Sequence, residues 1–169
     1  MMKNIIIESI EEELKVLVEK PLSNIGRAGN LLWLSLGEKI VTIDINGCEV
    51  LKGKYALHIQ CSWRLTMGSR IIVGSQDFYI PRTGLSENDF NWDIQGQNRF
   101  DEKIKEFKKM AESKTKVVEV SADEFGGIKI SFDSGIRLEV FPEDSLEEEF
   151  WRFIEFGKKS KHFVVFDKM

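Results

Sequence analysis

The clearest pattern in the chain is the alternation between Tyr55 and Leu65. Leu57, Ile59, Cys61, Trp63 and Leu65 fall on one parity, and His58, Gln60, Ser62 and Arg64 fall on the other. Successive side chains of a strand point to opposite faces, so the first set is expected in a core and the second on a polar face. Gly68 marks a turn, after which Arg70 to Phe78 is expected to return as a second strand. Leu31 to Leu36, bounded by Gly37, is a short apolar run that predicts a buried strand. Asn46-Gly47 separates two arms, Lys39 to Ile45 and Cys48 to Lys52, and Asn-Gly is the strongest short hairpin signal because both turn residues must take positive φ. Gly26 and Gly29 flank an expected loop around Arg27.

Two stretches carry a helical period. Ser9-Ile10-Glu11-Glu12 has the form of a capping box, and Ile10, Leu14, Leu17 and Val18 then share a face up to the break at Pro21. Asn98 to Ser113 places Phe100, Ile104, Phe107 and Met110 on one face, with Asp101 and Glu102 in its first turn and Lys108 and Lys109 in its last, as the helix dipole favours. Between them, 81–96 is rich in turn residues and reads as a long connection pinned by Phe90 and Trp92. Further strands are expected at Lys116–Ser121, Ile128–Phe132 and Ile136–Phe141. The last two are joined by Asp133-Ser134-Gly135 so that Ile128 faces Val140 and Ile130 faces Leu138. The region 146–156 reads two ways: Ser145 to Glu148 is a second capping box, but Phe150 to Phe156 is dense in aromatics and precedes an apolar run, His162–Phe166. A terminal hairpin is the preferred reading, and the likeness of Ser9–Leu14 to Ser145–Phe150 is taken as two helix-start signals rather than a repeat.

These elements predict an α+β fold: a mainly antiparallel sheet built from several hairpins, with two or so helices packed on it. At 169 residues the chain fits one domain, with lobes at about 1–97 and 98–169 as the alternative division. The net charge of −4 argues against a general nucleic-acid binder, which needs a concentrated basic face, and leaves room for a protein partner or a homo-oligomer. No apolar run approaches membrane-spanning length, and two cysteines, Cys48 and Cys61, are too few for a secreted disulfide framework. A cytoplasmic setting with two free thiols is expected.

Candidate chemistry is sparse. His58-x-x-Cys61 suggests a metal site, but strand parity puts the two side chains on opposite faces, so no metal and no cofactor are expected. His58, Gln60, Ser62 and Arg64 form a polar row. A turn at Met67-Gly68 would set Arg64 across from Ile71 and His58 across from Asp77, with Ile71 and Val73 mixed in as in a pocket lining. His58, Gln60, Ser62, Arg64 and Asp77 are therefore the candidate ligand-binding residues. A His58–Asp77 pair would favour the charged imidazole, and Arg64 supplies a fork for an anion. The ordinary alternative is the wet face of an antiparallel sheet. Gly74-Ser75-Gln76-Asp77 lacks the G-x-S-x-G form of a nucleophile turn, Gly126-Gly127 lacks the Lys-Ser/Thr of a phosphate loop, Lys158 to Lys161 reads as a solvated turn, and Glu147-Glu148-Glu149 reads as wet carboxylates.

The run Gly53-Lys54-Tyr55-Ala56-Leu57-His58-Ile59-Gln60-Cys61-Ser62-Trp63-Arg64 resembles a stretch found in small bacterial proteins of unknown function. The stretch from Ile128 through Phe132-Asp133-Ser134-Gly135 to Glu149, Trp151 and Val164-Val165 is similar to other uncharacterised bacterial domains. The resemblance implies a bacterial, cytoplasmic, β-rich protein and brings no catalytic residue. The function expected from all this is a non-catalytic binding module, immunity-like in engaging a protein partner. The alternative is a ligand-binding protein or a hydrolase- or transferase-type enzyme using the His58, Asp77 and Arg64 face.

Overall fold

The computed structural model describes residues 2–111, 114–146 and 148–166, excepting the side chains of 2–4, 110 and 111. Among the described residues, ten strands form two antiparallel five-stranded sheets with two helices packed on them. Sheet one holds β1 (Leu22–Ala28), β2 (Leu31–Ile43), β3 (Glu49–Ile59), β9 (Trp151–Glu155) and β10 (Lys161–Val165), in the order β1-β2-β3-β9-β10. Sheet two holds β4 (Ser62–Met67), β5 (Arg70–Gly74), β6 (Val117–Ala122), β7 (Ile128–Phe132) and β8 (Ile136–Phe141), in the order β5-β4-β8-β7-β6. Each sheet draws strands from both halves of the chain, so a division near residue 97 would part neighbours in both. One hydrophobic cluster joins them, with Leu34, Leu57 and Trp151 from sheet one and Leu65, Ile130 and Leu138 from sheet two.

Helix α1 (Met2–Leu14) packs on β6 and buries Ile10 and Leu14, followed by Leu17 in a short 3-10 turn. The helix does not begin at Ser9: the apolar run at Ile5, Ile6 and Ile7 extends it backwards, and Ser9 lies inside it. Val18 lies beyond the turn and is exposed. Helix α2 (Arg99–Ala111) is capped by Asn98, whose Oδ1 accepts from the Asp101 amide at 2.8 Å, and buries Phe100, Ile104 and Phe107. The side chain of Met110, expected on that face, lies outside the described set, as does Ser113, the expected helix end.

Expected strand boundaries move as well. The stretch around Arg27 is strand β1 rather than a loop, because Arg27 turns inward to a buried carboxylate on α2. The runs on either side of Gly37 are one strand, β2, which passes through a bulge between Leu36 and Lys39. The alternating run from Tyr55 to Leu65 is two strands. β3 ends at Ile59, the Gln60 and Cys61 amides both donate to the Phe150 carbonyl (2.9 and 3.2 Å), and β4 starts in the other sheet. The expected burial parity survives this break: Leu57, Ile59, Trp63 and Leu65 are buried, and Cys61 packs half-buried against the core.

The C-terminal region forms the expected hairpin, β9 with β10, and the β7–β8 hairpin has the expected pairs Ile128–Val140 and Ile130–Leu138. In the connection at 81–98, Trp92 packs on Tyr79 with ring centroids 5.3 Å apart. No helix among the described residues is long and apolar enough to cross a membrane.

Candidate functional site

The polar row read from the sequence is dispersed. His58 stands on β3 in sheet one, across from Trp33 on β2 and Arg152 on β9. Gln60 is exposed in the link between the sheets. The Ser62 hydroxyl donates to Glu143, and Arg64 donates from Nε and Nη2 to one oxygen of Glu139 at 2.9 and 2.7 Å. Asp77 is not on a strand at all. β5 ends at Gly74, and 75–79 is a 3-10 turn in which Asp77 Oδ2 accepts from the Gly74 amide at 2.8 Å while Oδ1 lies 3.4 Å from Arg99.

The expected His58–Asp77 pairing is therefore corrected for two reasons. Residues 60–61 carry the chain from one sheet to the other, and the β4–β5 register differs: the turn lies at Gly68-Ser69 rather than Met67-Gly68, so Thr66 faces Ile71, and a bulge between Leu65 and Thr66 adds a further residue, so Arg64 faces Gly74 rather than Ile71. The expected rise in the His58 pKa is corrected with it. Burial, with Arg152 and Lys52 nearby, holds the imidazole below its ordinary value, and Glu149 only partly opposes this. Cys61 lies past the end of β3, and burial pushes its thiol up to about 12.

His58 nevertheless lines a cleft of about 370 Å³, which also receives Ser23, Asn24, Trp33, Ser35, Ala56 and Phe156. Alternation puts Trp33, Ser35, Ala56 and His58 on the face of sheet one opposite the core residues Leu32, Leu34, Leu36, Leu57 and Ile59. The outer part of the β2–β3 hairpin supplies Lys39, Leu51, Lys52 and Gly53 to the same cleft. Its path depends on a close approach: a Cβ on Gly53 would sit 2.5 Å from the Leu36 carbonyl oxygen and 2.7 Å from Ser35 Oγ, which accepts from the Gly53 amide.

The indole of Trp33 lies across Gly26 of β1, where an added Cβ would come within 2.4 Å of Cζ2. Trp33 is half-buried, so its ring forms part of the cleft wall while remaining accessible. The Lys52 ammonium stands 3.9 Å from the Phe156 ring centroid. Among the described residues neither Lys39 nor Lys52 has an ion-pair partner, and no Asp or Glu lines the cleft.

Beside the cleft, Arg152 is held by Glu149 in a two-pronged pair (2.6 and 2.8 Å), and its Nη1 lies 2.9 Å from His162 Nδ1. The Glu149 carboxyl is held below its usual range, chiefly by its hydrogen bonds from Arg152. Trp33, Lys39, Lys52, Phe156 and Arg152 were not singled out in the sequence. The signal for Trp33 and Ser35 was present, since they alternate with Leu32, Leu34 and Leu36 as His58 does with its neighbours. Lys52 shares the parity of Ala56 and His58 on β3, though the sequence presents it as part of a separate hairpin arm, while Lys39 and Phe156 carry no such mark. Compared with known proteins, the chain matches no family model, no curated protein and no solved structure.

Proposed function

We propose that the protein is a non-catalytic binding module that holds a small ligand in the cleft on the outer face of sheet one. The observation that carries this is the convergence of Trp33, His58, Lys39, Lys52 and Phe156, from two strands, a bent hairpin arm and the β9–β10 link, around one concavity. A ring wall with a few convergent polar groups is the usual make-up of a ligand site. A hydrolase- or transferase-type role has less support, because His58, Arg64 and Asp77 each engage different neighbours. The bacterial, cytoplasmic setting belongs to the same proposal and rests on the two short resembling stretches.

The test is a 15N-resolved NMR titration of the full chain with pooled metabolites: amino acids, nucleotides, sugar phosphates and carboxylates. Shift changes clustered at the Trp33 indole, Ser35 and His58 are expected. Changes confined to another surface, or none with any pool, would remove the cleft from consideration.

One observation favours a protein partner as a second reading. On the β2–β3 arm Val41, Ile43 and Leu51 are each at least 60% exposed, and Ile45 is fully so. The arm extends beyond the β1 and β9 pairings, so both of its edges are open. If this surface is the functional one, Val41→Thr/Ile43→Thr should abolish a specific partner interaction while leaving cleft titrations unchanged.

A further inference from the structure

We infer that the ligand of the cleft is a compact anion carrying an aromatic ring, its ring lying against Trp33 and its acidic group meeting Lys39 and Lys52. This rests on the cleft being the ligand site and adds the chemical class.

The first support is charge. The chain has 28 acidic residues against 24 Lys and Arg, yet the cleft receives Lys39, Lys52 and His58 and no carboxylate. Two lysines without ion-pair partners among the described residues, on one cavity in an acidic protein, form a local field favourable to an anion. Arg152, the nearest guanidinium, is already held by Glu149 and His162, so the recognition falls to lysine point charges rather than to a guanidinium fork.

The second support is the wall. Trp33 is backed by a glycine with no room for a Cβ, so its indole lies flat on the sheet as a platform. Phe156 adds a second ring, already in contact with the Lys52 ammonium. Aromatic surfaces next to cations suit a planar π-system joined to a negative group. Donors are at hand as well: the Asn24 side chain accepts from the Ile25 amide through Oδ1, which leaves its NH2 without a protein acceptor among the described residues. The third support is size, since about 370 Å³ is near the lower end for ligand sites and suits one ring system with one acidic group.

The carboxylate and phosphate forms of this chemistry are separated by the probes. Indole-3-acetate and adenosine 5′-monophosphate are titrated into the full chain, beside their neutral counterparts indole-3-acetamide and adenosine, with acetate and inorganic phosphate as ring-free anions. Binding is read by calorimetry and by the Trp33 indole NMR resonance. At least one ring-bearing anion is expected to bind with Kd at or below about 1 mM. Its neutral counterpart and the ring-free anion should each be weaker by about tenfold or more. Lys39→Gln/Lys52→Gln should lose about tenfold for the anion and little for the neutral compound. Trp33→Leu should weaken both, and unchanged circular dichroism and melting temperature show that the variants fold.

Neutral compounds that bind as tightly as the anions, with shifts at Trp33, would overturn the anion class and leave the cleft as the site. Ring-free anions that bind as tightly as the ring-bearing ones would overturn the aromatic part. No shift at Trp33 with any probe would overturn the inference and the cleft together.

Discussion

Arg27 on β1 and Asp101 on α2 meet in a buried two-pronged ion pair, with Nε donating to Oδ1 and Nη2 to Oδ2 at 2.8 Å each. Around it, Arg27 also donates to the carbonyls of Gly29 and Ile94, while Asp101 accepts from Gln95 Nε2 and the Gly96 amide. Sheet one, helix α2 and the long connection are thus tied at one point. Burial works against the Asp101 charge, but the hydrogen bonds from Arg27 and the Gly96 and Asn98 groups hold its carboxyl below the usual range. Removing one partner leaves the other charge buried, so Arg27→Ala or Asp101→Ala should each cost about 3–5 kcal/mol in urea denaturation. A loss below about 1 kcal/mol would mean that water reaches the pair.

The pH dependence of stability should show His58. Its folded pKa is lowered from 6.5, so the unfolded chain takes up the proton first as pH falls. Above about 6.5 the group contributes nothing, and below it stability declines until the folded state is protonated as well. His58→Gln should flatten the stability profile below about pH 6.5, while losses from Asp101 and Glu149, whose pKa values are also lowered, set in at lower pH. An NMR titration that places the His58 pKa above 6.5 would contradict the burial-dominated environment.

The two thiols should differ sharply in the native state. Cys48 is exposed at the hairpin turn, and Cys61 is half-buried with its thiol pushed up to about 12. A disulfide reagent at pH 8 should modify Cys48 rapidly and Cys61 only on the timescale of opening. Unfolded protein prepared without reductant should titrate as two free thiols. Equal native rates would show that Cys61 is not shielded.

Gly26→Ala tests the Trp33 platform. The added methyl would meet the indole at 2.4 Å, so the ring must lift toward solvent, at a cost of about 1–3 kcal/mol. Trp33 fluorescence, isolated by difference against Trp33→Phe, should shift to the red, and ring-dependent binding in the cleft should weaken. A variant with unchanged emission and binding would show that the platform does not need the glycine.

What the amino-acid sequence determined by itself was the side on which residues of the strongly periodic runs fall. The period of two in 57–65 and the helical spacing of Phe100, Ile104 and Phe107 follow from local backbone geometry, and their burial agrees. The Asp133-Ser134-Gly135 turn was legible for the same reason, since the positive φ of Gly135 is a local demand, whereas Asn46-Gly47 located its hairpin but not its turn: only Gly47 takes positive φ, and the loop runs over 44–48 rather than two residues. Tertiary structure alone decided which strands beyond the local hairpins are neighbours. Nothing local in Gln60-Cys61 says that the strand ends there; the Phe150 carbonyl, far along the chain, takes both amides and the run passes into the other sheet. That crossing, with the β4–β5 turn at Gly68-Ser69 and a bulge at Leu65–Thr66, removed the partner expected for His58, and a bulge in β2 accompanies the hairpin arm that carries Lys39 and Lys52 to the cleft. Parity is set by the covalent chain, whereas register and strand order are set by hydrogen bonds between distant segments, to which no periodicity refers.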